Sequence, residues 1–191
     1  MTLLTVVANA QLKNKKKHDR TLLVVKSSLF AQMQEEVKKH TKARQTITGM
    51  GGCGRIVYYS AKDFKGLNTV EERVDILLGA NLVVTTYPTL SKSYATGQKV
   101  PMTDDGEDLD VEGLKAFTKA AHEQRDALHQ LEWDRVFFDE AHEMNSHLSQ
   151  VFQAGFALKR LATWLTSSTP LIDQPQESFA YFCLLGLFNP S

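Results

Sequence analysis

The residues best suited to chemistry are four in a row, Asp139-Glu140-Ala141-His142. Two adjacent carboxylates and a nearby imidazole allow a division of labour. One acid can hold Mg²⁺ in an oxygen shell, while the other orients or deprotonates a water. They follow Arg135-Val136-Phe137-Phe138, whose apolar residues lack the polar alternation of a half-exposed strand. This pattern predicts a buried strand of a parallel sheet with Asp139 and Glu140 at its carboxyl end, the edge where open α/β sheets bind ligands. A solvated acidic turn would explain an isolated Asp-Glu pair equally well, so the surrounding elements decide.

Other polar constellations compete. His142 and His147 invite a zinc-peptidase reading, but that chemistry uses H-E-x-x-H, which puts both imidazoles on one helix face. The spacing here separates them by roughly 140° at about 100° per residue. The segment Gly49-Met50-Gly51-Gly52-Cys53-Gly54-Arg55 satisfies G-x-G-x-x-G and comes close to a phosphate loop. Both motifs need a strand before and a helix after, whereas here a polar stretch precedes and the strand-like Ile56 to Tyr59 follows. The acids Asp104, Asp105, Glu107, Asp108 and Asp110 lack Ca²⁺-loop spacing, so residues 96–110 read as an acidic surface insertion. Lys13, Lys15, Lys16, Lys17 and Arg20 form a basic loop best read as a solvated turn.

The elements that must position these groups alternate between helix and strand patterns, the signature of an α/β layer fold. Thr2 to Leu12 reads as a helix, because the apolar run at its start is too short and lacks the basic flank of a secretory signal. Thr21 to Val25 and Asn81 to Tyr87 read as buried strands that close on hydroxyls, at Ser27-Ser28 and at Thr85-Thr86. The serines are suited to cap the helix carrying Leu29, Phe30, Met33 and Val37. Val70 to Leu78 predicts a short helix, Val111 to Leu131 an exposed helix and Leu148 to Leu161 an amphipathic one. Ala162 to Thr166 predicts a last strand, and Glu177 to Leu187 a terminal apolar helix.

Composition bounds the function classes. The 191 residues are 42% hydrophobic and 23% charged, as in a globular domain, and no run approaches the ~18 apolar residues of a membrane span. With 22 basic and 22 acidic residues no global field attracts nucleic acid, so such binding must come from local patches. Cys53 and Cys183 sit in no metal-ligand spacing and suggest a reducing compartment.

Four segments then fall into one order. Thr21 to Leu29, Val83 to Leu90, Arg135 to His142 and Trp164 to Pro170, trailed by Ser178 to Leu185, resemble successive motifs of the switch/sucrose-nonfermenting chromatin-remodelling ATPases of helicase superfamily two. The resemblance runs end to end and rests most on the Asp-Glu-Ala-His box and on Trp164-Leu-Thr-Ser-Ser-Thr-Pro170. It implies an α/β fold, a RecA-like three-layer sandwich with a mainly parallel central sheet, here lacking the first strand and phosphate loop. It further implies the first lobe of a motor that uses ATP and Mg²⁺ to move along double-stranded DNA.

By motif matching, Asp139 would hold Mg²⁺ through water, Glu140 would act on the attacking water, and His142 would face Ser167 and Thr169. Ser167, Ser168 and Thr169 would couple the nucleotide site to a DNA track. Lys26, Ser27, Thr85 and Thr86 would touch DNA phosphates. The implied partners are double-stranded DNA, nucleosomes and a second RecA-like lobe, with a nuclear location in a eukaryote and a cytoplasmic one otherwise. Lys26 stands where the family usually has proline, and Ser168 where glycine is usual. Met1 falls where the family's first helix is already under way, so a lobe truncated at both ends and inactive alone is expected. The alternatives are a nucleotide-free relic serving as a DNA- or protein-binding module and, behind it, a metallopeptidase.

Overall fold

The computed structural model describes residues 20–40, 56–60, 69–94, 126–168 and 177–187. Thr2 to Leu12, most of the basic loop, the glycine-rich segment, the acidic insertion, residues 111–125, Thr169 and Pro170 lie outside them.

The strands are β1 (Thr21–Val25), β2 (Ile56–Tyr59), β3 (Leu82–Thr86), β4 (Glu132–Asp139) and β5 (Lys159–Thr166). They form a five-stranded sheet in the order β2-β3-β1-β4-β5. Every pairing is parallel, with Val24 opposite both Thr85 and Phe138, and Asp139 opposite Thr166. All carboxyl ends therefore lie along one edge. The sheet continues from β1 toward β2 but from β4 toward β5. The gap between β1 and β4 is thus a topological switch point, where such sheets open a crevice for ligands.

Helices cover both faces: α1 (Phe30–His40), α2 (Val70–Leu78), α3 (Tyr87–Ser93), α4 (Ala127–Gln130), α5 (Gln150–Phe156) and α6 (Glu177–Leu184). Alternation along β1 divides the core. Leu23 and Val25 pack with Phe137 and with Phe30, Met33 and Val37 of α1. Leu22 and Val24 pack with Phe138 and with the apolar faces of the other helices. This is the expected three-layer sandwich. Burial on both faces explains why β1 and β3 read as unbroken apolar runs.

Several boundaries differ from the sequence reading, each for a local reason. Tyr87 opens α3 instead of closing β3, because Thr86 turns its hydroxyl onto the Thr89 amide at 3.3 Å and Pro88 fits the first helical turn. Ser27 and Ser28 do not cap α1; they lie inside a 3₁₀ turn, Ser27–Leu29, that starts at Lys26 with no side-chain cap bond. α5 is shorter than Leu148 to Leu161, since Ser149 caps it through the Phe152 amide and β5 already begins at Lys159. α6 ends at Leu184, where Gly186 at φ 73° lets the Leu187 amide reach the Phe182 carbonyl at 3.0 Å. The short α4, inside the stretch read as an exposed helix, is buried at Ala127, Leu128 and His129. Trp133 donates to the Leu128 carbonyl at 2.9 Å, and His129 spans Ser93 Oγ and the Ala154 carbonyl.

Candidate functional site

The acids emerge where the sequence placed them. β4 ends at Asp139, and Glu140 adopts φ 55°, the one positive φ at a non-glycine residue among those described. That left-handed step costs of order 1 kcal/mol for an L side chain. It turns the chain at once into a 3₁₀ turn, Ala141–Met144, and swings the box back across the sheet edge. Ala141 and Met144 anchor the turn in the core, while Gly155 of α5 leaves it room. A Cβ on Gly155 would stand 3.0 Å from Met144 Sδ and 3.3 Å from the Phe138 ring.

Both carboxylates are half-buried and held. Asp139 Oδ1 accepts from the Thr166 hydroxyl at 3.0 Å, and the Asp139 carbonyl accepts from the Tyr87 hydroxyl at 2.8 Å. Burial, followed by the charge of Asp139, pushes the Tyr87 phenol well above its ordinary range, so it remains a donor. Glu140 Oε2 lies 3.2 Å from His142 Nδ1 and 3.5 Å from Ser168 Oγ. His142 Nδ1 also stands 3.2 Å from Ser167 Oγ, so the imidazole bridges the end of β4 to the segment after β5. The expected partner Thr169 is outside the described residues. Asp139 and Glu140 offer adjacent hard oxygen donors, one steadied by a hydroxyl and one by an imidazole, which suits a water-shelled Mg²⁺. Among the described residues no group of three His, Cys, Asp or Glu could hold a metal by itself. His147 sits edge-on against Phe179 at 5.6 Å, apart from the partners of His142.

The residues matched to DNA contact fare differently. Thr85 is fully buried, and its hydroxyl donates to the Tyr59 carbonyl at 2.9 Å. Thr86 is nearly buried and caps α3. Neither hydroxyl faces outward from the edge. Lys26 and Ser27 are exposed, but the Lys26 ammonium meets Glu143 Oε1 at 2.6 Å. That hydrogen bond and the charge of Glu143 raise the Lys26 pKa above its usual value.

Sequence reasoning missed Glu143, Thr166, Tyr87 and Arg160 as site or support residues. Thr166 was within reach, since pairing the last strand with the central one sets it opposite Asp139. Arg160 gave no signal. Its guanidinium donates to the carbonyls of Gly155, Phe156, Leu158 and Leu184, joining the carboxyl ends of α5 and α6, and burial pulls its pKa down to about 10.

Comparison with known proteins fits this geometry. The SNF2-related domain matches residues 1–190. DNA repair protein RAD5B of Arabidopsis thaliana is 24% identical over 165 residues, 86% of this chain and 10% of that protein. DNA repair protein RAD5 of Cryptococcus neoformans var. neoformans serotype D is 27% identical over 171 residues, 87% of this chain and 12% of that protein. The chain therefore spans only a small part of these relatives. A solved Sulfolobus solfataricus SWI2/SNF2 ATPase core in complex with dsDNA superposes with a TM-score of 0.57 at 16% identity, covering 98% of this chain and 28% of that one. The all-parallel five-stranded sheet between helical layers, with its switch point between β1 and β4, defines a RecA-like lobe. The chain belongs to the SNF2-related domain family, as a first lobe of the superfamily-two helicase type.

Proposed function

We propose that this lobe belongs to an ATP-dependent double-stranded DNA translocase of the DNA-repair or chromatin-remodelling kind, located in the nucleus in a eukaryote. The observation that carries the reading is the pairing of Asp139 and Glu140 at the β1/β4 switch point, with His142 bridging to Ser167 beyond β5. Bound Mg·ATP would supply the phosphoryl group and its charge-neutralising metal; this chain supplies positioning. Asp139 is the group to hold Mg²⁺ through water, its carboxylate fixed by Thr166 and its backbone by Tyr87. Glu140 is the group to orient the attacking water and take its proton. His142, with Ser167, Ser168 and Thr169, is the relay toward the DNA side.

The sequence contains no G-x-x-x-x-G-K-[ST] loop, so the triphosphate must be held by groups other than these. A second RecA-like lobe is the proposed partner that closes the site, and nucleosomes are a further partner class for the whole protein. Among the described residues, no helix is long and apolar enough to cross a membrane.

The test uses a protein that carries this lobe with its second lobe and phosphate loop. Glu140→Gln keeps size and hydrogen bonding, so Mg·ATP binding should persist while turnover falls by about 10²–10⁴. Asp139→Asn should instead weaken the Mg²⁺ dependence and nucleotide binding itself. Equal loss of binding in both variants would remove the proposed roles and leave the lobe as a binding module.

A further inference from the structure

Motif matching assigns Lys26 to DNA, yet the structure commits its ammonium to Glu143, the residue just past the matched Arg135 to His142 segment. The arrangement comes from the fold. β1 and β4 are neighbours in register at Val24 and Phe138, so Lys26 leaves the sheet beside the acidic box. The left-handed step at Glu140 then folds the 3₁₀ turn back, held by the Glu143 amide on the Glu140 carbonyl at 3.1 Å, and Glu143 arrives over the end of β1. The ion pair thus spans the switch point. Its side chains remain 45% and 32% exposed, which keeps the ammonium within reach of an incoming phosphate.

We propose that Glu143 is an affinity-determining residue for DNA: its carboxylate occupies Lys26 as an internal stand-in for a backbone phosphate, and DNA must displace it. Water screens an ion pair this exposed and its two long side chains lose freedom in holding it, so the contact is weak enough to exchange. A phosphate oxygen offers the ammonium the same charge-assisted hydrogen bond. The exchange leaves Glu143 beside Glu140 without its cation, which sets a cost on DNA binding. No other acid among the described residues forms an ion pair with Lys26, although the charge of Glu140 also acts on it.

This inference rests on the DNA reading, and a double-mutant cycle separates the two. The 191-residue chain and its Lys26→Ala, Glu143→Gln and double variants are titrated against a fluorescent duplex of arbitrary sequence across a salt series. Circular dichroism melts establish that each variant is folded. Glu143→Gln should tighten binding about 3- to 10-fold and steepen the dependence of log K on log salt by up to about 0.9, the value for one further neutralised phosphate. Lys26→Ala should weaken binding, and in that background Glu143→Gln should change nothing. Tightening of equal size in both backgrounds would show only the loss of a negative charge and would overturn the proposal. So would a Glu143→Gln variant that binds like the parent while Lys26→Ala binds more weakly. If Lys26→Ala leaves affinity unchanged, or no form binds duplex, the DNA assignment of Lys26 fails and the Glu143 role fails with it.

Discussion

The two halves of the sheet's carboxyl edge obey the same sequence grammar and end differently. On the β4–β5 side, polar side chains converge: Thr166 on Asp139, Ser168 and His142 on Glu140, and Ser167 on His142. On the β1–β3–β2 side, the strand-end hydroxyls turn inward, Thr85 onto the Tyr59 carbonyl and Thr86 onto the start of α3. An apolar strand closing on hydroxyls therefore marks a sheet edge, but it does not say whether those hydroxyls face a ligand or finish the backbone's own hydrogen bonds. The next turn of the chain makes that choice. Thr86 precedes a helix needing a cap, whereas Asp139 precedes a left-handed turn that leaves side chains free to gather.

The contrast can be pressed hardest through Arg160, which supports the convergent half from below. Its guanidinium joins the ends of α5 and α6 beside β5, so Arg160→Ala takes the guanidinium donor from the carbonyls of Phe156, Leu158 and Leu184. The expected cost is about 2–4 kcal/mol, above that of a single lost hydrogen bond. Urea unfolding measures it, and a loss below about 1 kcal/mol would mean that water replaces the guanidinium.

A smaller effect is expected on the other half. Thr85→Val removes one buried hydroxyl and keeps the β-branched shape, at about 1 kcal/mol in the same unfolding assay. Duplex affinity should remain within about twofold of the parent, because a fully buried hydroxyl offers a phosphate nothing. A marked fall in affinity without a matching loss of stability would return Thr85 to the DNA track.

Much of the fold was legible because burial on two faces leaves a plain imprint. Thr21 to Val25, Val83 to Thr86 and Val136 to Phe138 carry no internal polar alternation, so strand type, parallel pairing and the edge bearing Asp139 and Glu140 could all be read. The His142 to Ser167 contact came from motif resemblance rather than from pattern. Boundaries failed where one side chain decides them, as at Thr86 and Ser149. The site was under-read where partners lie far apart in sequence: Lys26 and Glu143 meet only because β1 and β4 are neighbours and Glu140 reverses the chain. Arg160 looked like any cation at a strand start, since what it holds together is set by the packing of two helices.

One edge is thus proposed to carry two separable functions, phosphoryl transfer at β4–β5 and DNA contact at the end of β1. Their separation is measured in the two-lobed protein by reading duplex affinity and DNA-stimulated ATP turnover together for Glu140→Gln and Lys26→Ala. Glu140→Gln should remove turnover and leave duplex affinity intact. Lys26→Ala should raise the DNA concentration needed for half-maximal stimulation and leave turnover at saturating DNA unchanged. If Glu140→Gln lost duplex affinity in step with turnover, or Lys26→Ala lost maximal turnover without any change in DNA requirement, the division of the edge would be wrong.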